Sequence, residues 1–272
     1  ALRLAVGLTI MAVGVGIFLI ICVPLLPSRR LRIAACNVFG HLMGPAMLRM
    51  TSTTVPADAP QRLKDHFPAI YVSNHASIID MFIAIWVCPL FTCGVAKKEI
   101  VYYPFFGQLY FMSGHLRVDR SNAKSAVVAM ARLGELVRSK GLGIWIWAEG
   151  TRSRDGRLLP LKKGFAHMAL ATGLPIVPVV VKGAHKGWVK NTLIIRPSTV
   201  DIEVLPAIST AHWTAETLDE HIVEVHSAMN AALPADQKGA PMVLKVTPEV
   251  PAPAARQESR AGGSSGPSLG AQ

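Results

Sequence analysis

No charged residue interrupts the chain from Leu4 to Ser28, and at about 1.5 Å of rise per residue an apolar run of that length reaches across a hydrocarbon core of about 30 Å. The run ends in Val23-Pro24-Leu25-Leu26-Pro27 rather than in a small-residue cleavage site, so it reads as a membrane anchor and not as a removable signal peptide. A second uncharged run, Ile33 to Leu48, is short for a full span, and Gly40, Gly44 and Pro45 are expected to loosen any helix there. Two arrangements fit this pattern. Either the first run spans the bilayer and the second lies in its interface, or the two form a helical hairpin that dips into one leaflet.

Past Met50 the pattern changes. Thr51 to Pro60 is rich in Thr and Pro and reads as a linker. Beyond it, short β-branched or aromatic runs at 69–73, 91–95, 113–118, 143–147, 176–181 and 199–205 alternate with segments of helical spacing at 77–87, 123–139, 163–172 and 214–233. This alternation predicts an α/β domain with a mixed, largely parallel sheet flanked by helices, preceded by an N-terminal membrane-embedded helical segment. The organisation expected is an anchor at 1–50, one soluble domain at 51–233 and a disordered tail at 234–272, where Pro, Ala, Gly and Ser dominate.

Charge narrows the partners. With 28 Lys and Arg against 17 Asp and Glu, the net charge of +11 suits nucleic acid, an anionic membrane surface or a phosphorylated substrate. A composition that is 51% hydrophobic, without a basic aromatic-interleaved helix or zinc-ligand spacing, excludes an ordinary nucleic-acid binder and favours the membrane. Arg29, Arg30 and Arg32 directly follow the first apolar run, so positive-inside bias places the soluble domain on the cytosolic face of the cell (inner) membrane. The four cysteines form no CxxC pair and read as packed thiols in a reducing compartment.

Two blocks carry candidate chemistry. In Asn74-His75-Ala76-Ser77-Ile78-Ile79-Asp80, His75 follows a strand and precedes a helix, where α/β proteins present reactive side chains. Positions five apart on one helix diverge by about 140°, so His75 and Asp80 meet only if His75 lies ahead of the helix and turns back. Asp80 would then accept the imidazole Nδ1 proton and leave Nε2 as a base. The other reading is a capping box, with Ser77 as N-cap and Asp80 reaching back to the backbone. In the second block the apolar strand ending at Ala148 enters Glu149-Gly150-Thr151-Arg152-Ser153, where Arg152 suits a phosphate, Thr151 and Ser153 can donate hydrogen bonds, and Gly150 allows close backbone approach. Its alternative is a solvated turn. A third block runs from Gly114 to Arg120, and its Arg117 and Arg120 also fit surface ion pairs.

In this order and at these intervals the blocks, with Leu174-Pro175-Ile176-Val177-Pro178-Val179 as a fourth, resemble the glycerolipid acyltransferases, in particular the bacterial 1-acyl-sn-glycerol-3-phosphate acyltransferases. The resemblance covers roughly Tyr71 to Leu205. It implies that His75 is the general base and Asp80 its orienter. It further implies that Arg120, Glu149, Gly150, Thr151 and Arg152 handle the acceptor phosphate, with Asn74, Gly114, Ser153 and Pro178 in support. The implied reaction moves an acyl group from acyl-CoA or acyl carrier protein to the sn-2 hydroxyl of lysophosphatidic acid, with no cofactor and no metal.

Two positions depart from the family pattern: Arg117 stands where an aromatic or aliphatic residue is usual, and Trp147-Ala148 replaces Phe-Pro before the glutamate. Another lysolipid, such as a lyso-ornithine lipid or a lysophospholipid, is the alternative acceptor. A thioesterase and a non-catalytic lipid-binding protein use only part of the pattern. The cysteines lack an activating motif and Ser77 lacks a Gly-x-Ser-x-Gly elbow, so no acyl-enzyme is expected. A backbone N–H near the start of the helix after His75 is the expected oxyanion donor.

Overall fold

A computed structural model describes residues 2–102, 106–118, 133–189, 192 and 194–243. The chain begins with helices α1 (Leu2–Cys22) and α2 (Arg29–Met50), a short strand β1 (Thr53–Thr54) and one helical turn, α3 (Gln61–Lys64). There follow β2 (Ile70–Ser73), α4 (Ile79–Val87), β3 (Thr92–Lys97), α5 (Phe106–Ser113), β4 (Leu116–Val118), helical residues 133–140 (α6) and β5 (Gly143–Trp147). The rest comprises α7 (Gly164–Thr172), β6 (Ile176–Lys182), α8 (Ala184–Gly187), β7 (Ser198–Thr199), β8 (Asp201–Val204) and α9 (Leu218–Ala232). The helix expected at 123–139 lies largely outside the described residues.

The main sheet has the order β4-β3-β5-β2-β6-β8 and is parallel except for β8, which runs against β6. Its strands read as nearly continuous apolar runs because both faces are covered. Ile70, Val72, Ile144, Ile146, Ile176 and Val180 face a core shared with Phe165 and Met168 of α7 and Ile222, Val225 and Met229 of α9. The alternate positions Tyr71, Trp145, Val177, Val179 and Val181 face α2 and α4 through Met43, Met47, Phe82 and Ile83. Each large side chain fully buried this way contributes about 1.5–3 kcal/mol, which offsets the weak helix propensity of the β-branched residues in α4.

α1 and α2 run antiparallel as a hairpin. Gly14 lies against Met43 and Phe39, and the Phe18 and Phe39 rings are 5.4 Å apart between centroids. Gly40, Gly44 and Pro45 do not loosen α2, contrary to the expectation from propensity. A Cβ on Gly40 would meet Ile85 O at 2.6 Å and one on Gly44 would meet Phe82 O at 2.7 Å. The two glycines, about one turn apart, thus let the α2 backbone rest directly on α4. Asn37 Nδ2 donating to Thr92 O at 2.9 Å and His41 Nε2 within 2.8 Å of Cys88 O secure the same seam.

The arginines at the start of α2 are engaged inside the molecule. Arg29 donates to Gly114 O at 2.6 Å, Arg32 to Met112 O at 3.1 Å, and the Arg30 guanidinium sits 3.9 Å over the Phe91 ring. On the outer face of α1, Val6, Ile10, Val13, Ile17 and Ile20 are exposed in one stripe of helical spacing, Ile20 by 74%. α1 is long and apolar enough to cross a membrane by length and composition.

Two segments differ from the expected organisation. The linker begins as β1, which pairs in parallel with β7. The packed chain also continues ten residues past 233. Gln237 is buried, its carbonyl accepts from Leu158 N–H at 3.0 Å and its Oε1 accepts from Gly183 N–H at 2.7 Å. Leu161 N–H in turn points at Met242 Sδ at 3.3 Å. Residues 234–243 therefore brace the loop that follows the second block.

Candidate active site

β2 stops at Ser73, and the Asn74 amide continues its pairing with β6 by one step. Nδ2 donates to Val181 O and Oδ1 accepts from Val181 N–H, both at 2.8 Å. This fixes the chain just where His75 leaves the sheet. α4 begins only at Ile79, so His75 precedes the helix, as the angular argument requires. A single oxygen, Asp80 Oδ2, accepts from Ala76 N–H at 2.6 Å and from Ser77 N–H at 2.8 Å, and lies 3.0 Å from His75 Nδ1. Ser77 Oγ accepts from Ile79 N–H at 3.2 Å and donates to Trp188 O at 2.9 Å.

The N-cap position of α4 is Ile78 and not the expected Ser77, but Asp80 does reach back to the backbone, so that reach and the contact with the imidazole fall on one carboxylate oxygen. An acceptor at Nδ1 places the ring proton there and leaves Nε2 with its lone pair. The His75 side chain is 13% exposed, and no described residue bonds to Nε2.

The second block lies on the neighbouring strand, since β2 pairs with β5 in the register Ser73↔Trp147. It grips the His75 backbone on both sides. His75 N–H donates to Glu149 Oε1 at 2.6 Å, and Ser153 N–H donates to His75 O at 2.7 Å. The other glutamate oxygen accepts from Leu159 N–H at 3.0 Å. Glu149 is buried, and desolvation pushes its carboxyl up to about 8 despite the two N–H bonds that favour the charged form. Contrary to what the resemblance implies, both Glu149 oxygens are occupied by the protein's own backbone.

Ser153 also differs from expectation, because its buried hydroxyl donates to Asp155 Oδ1 at 2.9 Å. Gly150 makes the turn, with φ +73 and its N–H on Trp147 O at 3.1 Å. Thr151 is exposed and Arg152 half-buried on that turn.

Not every expected residue gathers here. Gly114, with φ +79, precedes β4 and gives its carbonyl to Arg29, so it serves the hairpin. Pro178 sits opposite Val72 inside the sheet, three positions short of His75 along the pairing, and its carbonyl accepts from Leu205 N–H at 2.9 Å. Arg120 lies outside the described residues. Near the start of α4, where a backbone N–H was expected as the oxyanion donor, the N–H groups of Ala76, Ser77 and Ile79 are engaged by Asp80 and Ser77. Cys88 and Cys93 are buried and their thiols pushed up to about 12 by desolvation, which removes thiolate nucleophiles.

One contact was not foreseen. The Trp147 ring stacks on the His75 imidazole, with centroids 4.5 Å apart and planes at 18°. The strand alternation that puts Trp145 on Tyr71 carries the next same-face pair up to the base. The only hint in the sequence was that Trp147 departs from the usual phenylalanine. Farther along the sheet edge, Leu19, Ile20, Val101, Phe111 and Met112 line a cleft of about 700 Å³ in which Arg117 is the one charged residue among the described residues.

A family model described as Acyltransferase matches residues 55–182. The chain is 41% identical over 229 residues to a 1-acyl-sn-glycerol-3-phosphate acyltransferase of Limnanthes douglasii, covering 84% of this chain and 80% of that protein. It is 34% identical over 191 residues to the protein of the same name from Escherichia coli (strain K12), covering 70% and 77%. Among solved structures, the 1-acyl-sn-glycerophosphate (LPA) acyltransferase from Thermotoga maritima shares the fold, with a TM-score of 0.65 over 85% of this chain and 94% of that one at 18% identity.

Proposed function

Because the chain belongs to the 1-acyl-sn-glycerol-3-phosphate acyltransferase family, we propose that it transfers a fatty acyl group from a thioester, on coenzyme A or acyl carrier protein, to the sn-2 hydroxyl of lysophosphatidic acid. The observation that carries the mechanism is the pair His75 Nδ1 and Asp80 Oδ2 at 3.0 Å, with Nε2 bonded by no described residue.

Nε2 removes the hydroxyl proton as the oxygen attacks the thioester carbonyl. The tetrahedral intermediate then expels the thiolate, which takes the proton back from the imidazolium. The products are phosphatidic acid and the free thiol, and no covalent enzyme intermediate forms. Asp80 holds the tautomer and balances the imidazolium. Glu149 positions the base by its backbone and does not touch phosphate; Arg152 is the cation that meets the head group, through paired N–H bonds suited to phosphate.

The cleft lined by Ile20, Phe111 and Met112 has the apolar character an acyl chain requires. The exposed stripe of α1 lies in the membrane surface on the cytosolic face, bringing the lysolipid to the site.

The test is turnover of labelled acyl-CoA and acyl carrier protein by membranes holding the protein, with a panel of lysolipids. His75→Ala is expected to abolish turnover, and Arg152→Ala to raise KM for lysophosphatidic acid about tenfold while kcat changes little. Full activity in His75→Ala overturns the mechanism; equal rates on phosphate-free acceptors overturn the head-group assignment.

A further inference from the structure

Besides the hydrogen bond to Asp80, the His75 imidazole makes a contact with a ring. Trp147 lies nearly parallel to it at 4.5 Å between centroids, held from below by β5, whose backbone pairs with β2. The indole is anchored by packing and not by polar bonds: Trp147 packs against the core shared with α2 and α4, and its Nε1 has no hydrogen-bond partner among the described residues. A side chain that keeps a buried N–H unpaired carries a standing cost, which a phenylalanine at this position would avoid. What the larger ring supplies in return is its face.

An aromatic face is the negative side of the ring quadrupole, and it attracts a cation placed over it, most strongly for tryptophan. His75 carries no such charge as the resting base but becomes an imidazolium once it has taken the substrate's proton. The favourable interaction is thus larger after proton transfer than before it, which is the condition for an interaction to raise kcat instead of only tightening binding. The stack also fixes the ring plane, so that Asp80 at Nδ1 and the substrate hydroxyl at Nε2 stay in line.

From this we propose that Trp147 is a positioning residue for the acyl transfer: its indole face holds the His75 ring and stabilises the imidazolium that forms during the reaction. The inference rests on His75 being the base. Asp80 Oδ2 and the Trp147 face then divide the work, the carboxyl acting on the ring edge and the indole on its face.

Substitution of Trp147 by tryptophans carrying one, two and three fluorines weakens the negative face at nearly constant shape. The expected result is a stepwise fall in kcat along the series with KM for lysophosphatidic acid and acyl-CoA unchanged within twofold, and with the melting temperature unchanged. Trp147→Phe, which removes no hydrogen bond, keeps most of kcat, whereas Trp147→Leu lowers it about tenfold, the factor that about 1.4 kcal/mol of transition-state stabilisation makes.

A purely structural role predicts a changed melting temperature with a flat fluorine series, and that result overturns the proposal; so does a loss that falls on KM alone. If His75→Ala keeps full turnover, the base and the stack fall together. If His75→Ala is dead and the fluorine series is flat, the base stands and only the role of Trp147 fails.

Discussion

Asp80 shows how one residue can answer two demands. Its Oδ2 collects Ala76 N–H, Ser77 N–H and His75 Nδ1. An asparagine can place its single carbonyl oxygen at that point and lose only the charge. Asp80→Asn should therefore keep its melting temperature and lose at least about tenfold in kcat, in line with the worth of a charged hydrogen bond. Asp80→Ala should lose activity and also melt earlier, because two backbone donors are orphaned at about 1–3 kcal/mol each; kinetics and thermal melts on the pair separate the two roles. At this scale the sequence was a partial guide. The pairing of His75 with Asp80 was legible from spacing, because the loop before a helix leaves few ways to arrange such a block. The inward turn of Glu149 was not, since a carboxylate beside Thr151 and Arg152 looks equally suited to solvent, substrate or backbone until the fold shows where the strand ends. Trp147 was legible as a departure from the family pattern but not as the ring under the base, because β5's partner register is a long-range fact.

Among elements, the apolar runs of β2, β5 and β6 could be read directly, as could α4 and α9, since strands buried on both faces and helices with one apolar face leave clear periodicities. Two-residue strands such as β1 and β7 are too short to show a period. α5 spans only eight residues, too few for a clear apolar stripe. The brace at 234–243 hides in a Pro- and Ala-rich segment whose one informative residue is a glutamine that happens to be buried. Gly40 and Gly44 misled because propensity is local and their partner, α4, is not. That seam is testable: a Cβ at residue 44 meets backbone at 2.7 Å and the Trp86 Cβ at 2.6 Å, neither of which can swing away. Gly44→Val is expected to destabilise the protein by about 1–3 kcal/mol through overpacking, measured as an earlier thermal transition in detergent.

For the whole molecule, two groups, Glu149 and His115, set opposing slopes of stability against pH. Glu149 is raised from 4.5 to about 8 when folded, so its contribution is complete below about pH 4.5 and is lost as pH climbs through 8. His115 is lowered from 6.5 to about 4 by burial and by the nearby Arg29 charge, so its contribution is complete above 6.5 and is lost as pH falls through 4. Its Nδ1 accepting from Gly94 N–H at 3.2 Å fits the neutral ring. The thermal transition is expected to be highest at roughly pH 5–6 and to fall on either side. Glu149→Gln should flatten the fall between pH 6.5 and 8, although its transition starts lower because an amide has one oxygen for two backbone N–H donors. A parent-like slope in that variant would assign the pH dependence elsewhere.

The seam between α2 and α4 has a geometric consequence for the whole reaction. Asp80 lies in the first turn of α4, so the helix that carries the His75 partner is the helix on which the hairpin rests, backbone close against backbone at Gly40 and Gly44. Packed helices, and no flexible tether, connect the apolar surface of α1 to His75 Nε2. The distance between that nitrogen and the exposed face of α1 is consequently a dimension of the fold, as the spacing of two strands is. Under the proposed function such a seat would act as a depth gauge, refusing a hydroxyl that floats above or below that level before its chemistry is tried.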